Sequence, residues 1–436
     1  MPKVLYLDNF NNFDFFLELS KQAHDIDMDF IVFNNLKDAV VKKTDSQSFI
    51  LKANMTKTPK CNAITDQEFR IAIKNDRLLG LLPEKLSLRL MKGYVSQLEE
   101  ILDAKQYDIV LGEISWALEY LAFLLCERKG IKYRHLLNLP LPEVKAVAFD
   151  ADHSMASLKE CANCASDSSF EISYQSMCVR VKECFEKGNI PMNYKPLISS
   201  DYREWKPLWW LSALSYHSNK RTYAPLYEKR AVSLKEALNV SNKKVLYFPL
   251  HVQPESTPDY VSPYYSDQFE LIARVSEQLG DEFVILVKEH PNKFSPRSVK
   301  GFERLMRIKN VIFLSLSENA KDIMEKADLV LTIAGTSCLE AVNMRKPSVA
   351  FSNIYYTDLP GVFDGRQALE KNQLKLLLET ALEHTEFSDN ANGLVEEFGV
   401  TGFVHDPALF PELFESQNLK AVEDLIVHLC ENRVDS

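Results

Sequence analysis

The 436-residue chain has no run of 18 apolar residues; its most apolar stretches, FVILV (283–287) and DLVLTIAG (328–335), are only strand length. A helix that crosses a bilayer needs about 20 predominantly apolar residues, so none is expected. The opening MPKVLYLD breaks its short apolar run at Asp8, which does not suit a signal peptide. GxGxxG does not occur and neither does GxxxxGK[ST], so the dinucleotide oxidoreductase and P-loop ATPase readings lose their fingerprints. No DxD-like aspartate pair stands at the carboxyl end of any strand read from the sequence, which argues against a metal-dependent transferase; no metal and no resident cofactor are expected. Positive charge is in deficit, with 51 Lys and Arg against 61 Asp and Glu, a net charge of −10 that offers a polyanion no general attraction. A nucleic-acid partner is therefore not expected. The eight cysteines form no disulfide framework: Cys161 and Cys164 make one CxxC, but Cys178 and Cys184 have five residues between them and no histidine completes a zinc set. They read as plain thiols of a soluble, cytoplasmic protein, with peripheral contact at the inner face of the membrane left open.

The composition that is present, 46% apolar and 26% charged, is enough for two to three domain-sized cores. VLYLD, the helical DFFLELSKQA and DFIVF form a strand, helix and strand within about 30 residues, a βαβ unit. Residues 38–82 are weakly periodic and read as loops and short helices. LRLMKGYVSQLEEILDAK (88–105) repeats its apolar residues at helical spacing, then YDIVLG, the helical WALEYLAFLLCERKG and IKYRH continue the alternation. Helical material is expected between about 151 and 235. Within it, YREWKPLWWLSALSY (202–216) holds three of the four tryptophans; it reads as a packed helix between domains, or as one lying in a membrane interface, and the usual burial of Trp favours packing. From 244 onward strands and helices alternate clearly, through KVLYFPL, EFVILVKEHP, NVIFLS, DLVLTIAG and PSVAF. Such a rhythm means parallel sheets covered on both faces, an α/β chain with domains at 1–235 and 236–436, the latter including the C-terminal helices.

Ligands of open α/β sheets bind beyond the carboxyl ends of strands. Three places in the second half qualify: His251-Val252-Gln253-Pro254-Glu255, Lys288-Glu289-His290-Pro291 and Ala334-Gly335-Thr336-Ser337. Gly335 allows close approach, Thr336 and Ser337 present hydroxyls, and helix-start N–H groups suit a phosphate; an ordinary N-cap explains the same residues. His290 can donate to a phosphate or ribose oxygen, Pro291 fixes the backbone beyond it, and Lys288 adds positive charge. Glu340, one turn into the helix, suits a ribose hydroxyl or an internal polar contact equally. Arg366, with Asp358 and Asp364, belongs to a polar loop that faces the cleft or only solvent. For a base near an acceptor hydroxyl, the first half offers Glu113 and Asp8, each after a buried strand; helix-start electrostatics is the plain alternative at Glu113.

Taken in order, FPLHVQPEST (248–257), KEHP (288–291) and GTSCLEA (335–341) with Lys346-Pro347 beyond resemble the bacterial capsule polysaccharide biosynthesis family, which includes transferases of 3-deoxy-manno-octulosonic acid (Kdo). The nucleotide motifs are similar to the His-Pro and Ser/Thr motifs of bacterial sialyltransferases. The resemblance covers about 240–360. It implies a GT-B-like architecture of two facing Rossmann-like domains, donor on the C-terminal one and acceptor largely on the N-terminal one. His290 and Pro291 would then meet a cytidine nucleotide, Thr336 and Ser337 would hold its phosphate, and His251, Gln253 and Glu255 would line the cleft. The expected function is a metal-independent glycosyltransferase moving an acidic, CMP-activated sugar, Kdo or sialic-acid-like, onto a bacterial surface or capsule glycan or glycolipid. Its partners would be that nucleotide sugar and acceptor, with membrane or capsule-assembly contact open. Alternatives are a teichoic-acid-type glycerophosphate or phosphosugar transferase, a sugar-nucleotide epimerase and a non-catalytic polysaccharide assembly protein.

Overall fold

The structure, a computed structural model, describes residues 1–9, 12–52, 63–140, 144–164, 202–239, 243–253, 255, 257–290, 297–388, 398–402 and 410–431. Two compact units emerge: Met1–Leu208 with Asn392–Ser436, and Trp209–Ala391. Each contains a mostly or wholly parallel sheet flanked by helices, a Rossmann-like arrangement, so the chain is α/β and GT-B-like in its pair of folds.

In the first unit, β1 (Lys3–Leu7) is central. It pairs in parallel with β2 (Asp27–Val32) and β4 (Ile109–Leu111); β3 (Ser48–Ile50) extends the sheet beside β2, and β5 (Lys132–Pro140) beside β4. Val4, Leu5 and Leu7 are fully buried, as expected of a strand covered on both faces. β6 (Val144–Phe149) then runs antiparallel to β5, and β13 (Val400–Thr401) antiparallel to β6. The sequence reading has no strand at β6, β13 or β3.

The second unit is a six-stranded, entirely parallel sheet in the order β12-β11-β10-β7-β8-β9. Its central strands are β7 (Lys244–Pro249), β8 (Phe283–Lys288) and β10 (Leu329–Thr332), with β9 (Val311–Phe313), β11 (Ser348–Ala350) and β12 (Val362–Asp364) outside them. All six residues of β8 are buried.

Two features of the division differ from 1–235 and 236–436. Residues 209–235 belong to the second unit because Tyr223 and Tyr227 pack their rings against Phe302, Tyr223 also against Phe269 and Tyr227 against Phe313. The last helix, Ser416–Glu431, belongs to the first unit, where Glu423 accepts the backbone N–H groups of His24 and Asp25 at 2.7 Å each.

The helix Lys206–Arg230 covers most of the tryptophan-rich segment, and it is not packed all round: Trp210 is 71% exposed. Of the CxxC, Cys161 is buried, with its sulfur 3.2 Å from the Ala148 N–H donor, and both Cys161 and Cys164 are free thiols. Cys178 and Cys184 lie outside the described residues.

Candidate functional site

Three neighbouring strands of the second unit, β10, β7 and β8, end side by side, and the three sequence motifs follow them. His251 comes two residues after β7. Its Nε2 lies 3.0 Å from Thr332 Oγ1 at the end of β10, and the Ala334 N–H points to the same nitrogen at 3.5 Å. Thr332 Oγ1 accepts the Gly335 N–H at 3.1 Å, which leaves its own proton for His251. Two donors at Nε2 put the ring proton on Nδ1, which has no protein partner among the described residues. Burial first, then the charges of Arg297 and His290, hold the imidazole pKa down at about 4, so the ring is a neutral donor.

Gly335 is needed where it stands. A Cβ there would sit 2.8 Å from Thr332 Oγ1, 3.1 Å from His251 Cε1 and 3.2 Å from Ser337 Oγ. Among the described residues Ser337 Oγ is buried without a hydrogen-bond partner, while Thr336 and Glu340 are exposed and Thr336 makes no side-chain capping bond. Tyr356 donates to the Gly335 carbonyl at 2.8 Å and holds the turn.

Lys288, the last residue of β8, is 3% exposed, and among the described residues its ammonium makes a single long bond, 3.4 Å to the Glu289 carbonyl. Burial lowers its pKa against the opposing pull of Glu289 and Glu318. A buried cation with so little compensation is costly unless an anion joins it. His290 is half-buried, its pKa lowered by burial and by Lys288 and Arg297, with Glu289 opposing. Pro291 lies outside the described residues.

Several residues that organise this edge escaped the sequence reading. Arg297 donates to Glu289 at 2.5 and 2.7 Å and to the His251 carbonyl at 2.7 Å, joining the loops after β7 and β8. Glu289 also accepts from Tyr223 at 2.9 Å. Gln253 is internal bracing: its amide bonds Asp259, the Ser266 carbonyl and Gln268 at 2.7–2.8 Å. The Glu255 N–H donates to Asp259, and its side chain is exposed. Arg366, beyond the edge strand β12, is engaged by Asp364 through bonds of 2.8–3.2 Å. Only the density of polar residues in the HVQPE and KEHP segments, directly after apolar strands, hinted at such a network.

In the first unit the corresponding strand ends present a carboxylate. Glu113, just past β4, accepts from Asn9 at 2.5 Å, Ser115 at 2.6 Å and Asn12 at 3.5 Å. It lines a small pocket with Tyr6, Asn9, Asn12, Phe16 and Leu136. Gly112 admits the Tyr133 hydroxyl, which a Cβ there would approach to 2.3 Å. Asp8 serves a different purpose: it is 2% exposed and salt-bridged to Lys37 at 2.6 Å, so it is tied into the core. The triplet Asp150-Ala151-Asp152 follows β6, a strand not read from the sequence; Asp150 there bonds the Ser154 N–H and hydroxyl at the start of the helix Met155–Lys159. No cluster of three or more His, Cys, Asp or Glu able to hold a metal occurs among the described residues. No helix among them is long and apolar enough to cross a membrane.

The sequence profile described as "Capsule polysaccharide biosynthesis protein" matches residues 123–391, more than half of the chain. The chain belongs to that family. None of the curated proteins compared with this family member matches it. Among solved structures it is similar to the UDP-GlcNAc 2-epimerase of Neisseria meningitidis bound to UDP-GlcNAc, with 13% identity, 91% of this chain and 98% of that one covered, and a TM-score of 0.26. It is similar to the UDP-GlcNAc 2-epimerase of Methanocaldococcus jannaschii in complex with UDP-GlcNAc and UDP, at 12% identity, 90% and 96% coverage and a TM-score of 0.27. For KpsC of Thermosulfurimonas dismutans, a β-Kdo 2,7 transferase, the values are 14%, 84% and 97%, and 0.32. Likenesses this slight carry no weight for what the family member binds.

Proposed function

We propose that this protein is a metal-independent glycosyltransferase that moves a sugar from a nucleotide donor, with a CMP-linked acidic sugar such as Kdo or a sialic-acid relative as the favoured one, onto a capsule or surface glycan or glycolipid. The observation that carries the reading is the meeting of His251, Thr332, Gly335 and Ser337 at the ends of two adjacent strands, with buried Lys288 on the third. Neutral donors, hydroxyls and one under-compensated ammonium are what a phosphate-bearing leaving group needs in place of a metal.

In this reading Lys288, Thr336 and Ser337 neutralise and bond the phosphate, His251 donates from Nδ1, and His290 with Pro291 meets the ribose or phosphate. Glu340, exposed one turn into the helix after Gly335, and Arg366, beyond β12, complete the substrate side of the cleft. Glu113 is the acceptor-side base: the acceptor oxygen forms a bond to the anomeric carbon, the bond from that carbon to the phosphate oxygen breaks, and the acceptor proton passes to the Glu113 carboxylate. Asn9 and Ser115 donate to that carboxylate and keep it aimed.

Titration calorimetry with CMP, CDP, UDP and GDP, first without metal and then with magnesium, tests the donor. Metal-free selectivity for CMP is the expected result. Preference for UDP or GDP overturns the CMP donor, and transfer of a phosphate-bearing group with CMP released from a CDP-linked donor makes it a phosphosugar transferase instead. Binding of no nucleotide overturns the transferase reading.

A further inference from the structure

The helix Lys206–Arg230 carries an apolar face that the proposed chemistry does not use. Of the large hydrophobic side chains that are exposed, three fall within five consecutive residues: Trp210 at 71%, Leu211 at 47% and Leu214 at 63%. The helix is anchored elsewhere on its circumference. Tyr223 and Tyr227 are fully buried, donate to Glu289 at 2.9 Å and to the Leu314 carbonyl at 2.7 Å, and stack among Phe269, Phe302 and Phe313. Leu214 precedes Tyr223 by nine residues, two and a half turns, so it points to the opposite side. Packing of this helix therefore does not account for the Trp210 face.

Charge selects the occupant. The helix sequence contains Lys206, Lys220, Arg221, Lys229 and Arg230 against a single acid, Glu228, in a chain whose net charge is −10. Arg221, two turns beyond Leu214 and so on the same side, is exposed, as are Lys229 and Arg230. A Trp and two Leu side chains followed along one face by cations match a bilayer surface with anionic headgroups, where the indole sits at the headgroup level, the leucines enter the acyl boundary and the cations meet phosphates.

We propose that the Trp210–Leu214 face, with Arg221 and Lys229, docks the protein on an anionic lipid surface. The full-length protein is to be floated with vesicles of phosphatidylcholine alone and of phosphatidylcholine with about 30% phosphatidylglycerol, at low and high salt. The expected result is binding to the anionic vesicles only, a blue shift of tryptophan emission on binding, and release at high salt. Trp210→Ser with Leu214→Ser is expected to weaken partitioning at least about tenfold, and Arg221→Glu with Lys229→Glu to abolish its dependence on anionic lipid. The two double variants change different side chains of exposed positions, so a folding fault in one leaves the other to decide. Failure of the wild-type protein to float with anionic vesicles overturns the proposal. So does equal binding by both variants, or light scattering that shows a dimer lost in the Trp210/Leu214 variant with no vesicle binding, which assigns the face to a second copy.

Discussion

Among the described residues each unit holds one fully buried Arg–Glu pair, and each pair clamps the chain just past the unit's first strand. In the first unit Arg203 bonds Glu119 at 2.5 Å and the Asp8 carbonyl after β1 at 3.1 Å, with its guanidinium 4.8 Å from the Phe33 ring centroid. In the second, Arg297 grips Glu289 through two bonds and the His251 carbonyl after β7, with its guanidinium 5.6 Å from the Phe269 centroid. Both arginines come from positions remote in sequence from the carbonyl they hold. The pairs differ in what surrounds them. Glu119 lies on a helix six residues past Glu113, whereas Glu289 is flanked directly by Lys288 and His290. In the first unit the bracing carboxylate and the candidate base are therefore separate, and in the second, bracing and ligand groups alternate within one tetrapeptide.

The largest expected effect comes from breaking these pairs. Arg297→Met leaves the Glu289 carboxylate buried and loosens both loops, and a cost of about 3–5 kcal/mol in urea unfolding is expected. Arg203→Met should cost a similar amount. Replacing Glu289 with Met in the Arg297→Met background should recover much of the loss, because the stranded charge goes with it. A cost under about 1 kcal/mol for either single substitution would show that the clamp does not brace that unit.

Next in size are two substitutions that separate ligand groups from bracing ones. Lys288→Met removes a buried cation that has one weak protein bond among the described residues. Calorimetry should find nucleotide affinity down at least about tenfold, or about 1.4 kcal/mol, while the thermal midpoint holds or rises. A fall in stability with unchanged affinity would make Lys288 part of the scaffold. Gly335→Ala forces Thr332 or His251 to move and should cost about 1–3 kcal/mol, with nucleotide binding impaired. Gly112→Ala, against the Tyr133 hydroxyl, should cost as much in the first unit and leave nucleotide binding intact.

Much of the second unit was legible because its strands are continuous apolar runs: FVILV could be read directly, and all of β8 is buried. β6 and β13 were missed because the apolar residues of VKAVAF do not alternate cleanly with polar ones, and the two-residue Val400–Thr401 is defined by pairing with a strand some 250 residues away, which no local pattern encodes. The same limit applies to the site. His251 and Gly335 were visible as residue types after strands, but Thr332, Gln268 and Arg297 gain their roles from contacts 17 to 81 residues apart. Gln253 was read as lining the cleft, yet its amide is spent on Asp259, Ser266 and Gln268. A sequence window marks polar residues near a strand end and is blind to which of them already have partners.

The smallest effect is a pH dependence that again pairs the units. His153 in the first and His251 in the second are both held down at about 4, His153 by burial against the pull of Asp150, His251 by burial and then by Arg297 and His290. In the unfolded chain each titrates near about 6.5. As pH falls from 7, the unfolded state takes up these protons first, so the stability present above about 6.5 is lost progressively until about 4, after which these groups add no further loss. Between about pH 7 and 5.5 each should contribute about 1 kcal/mol or less, the half-buried His251 less than the fully buried His153. Thermal midpoints of wild type, His251→Gln and His153→Asn across that range resolve the two, Asn being chosen because His153 sits at a φ of 52° that Asn tolerates. Each substitution should flatten the slope by its own share. An unchanged slope in His251→Gln would mean that the folded ring titrates near the unfolded value of about 6.5, and a steeper slope would mean that it already carries a proton in the folded state and faces the donor phosphate as a cation instead of a neutral donor.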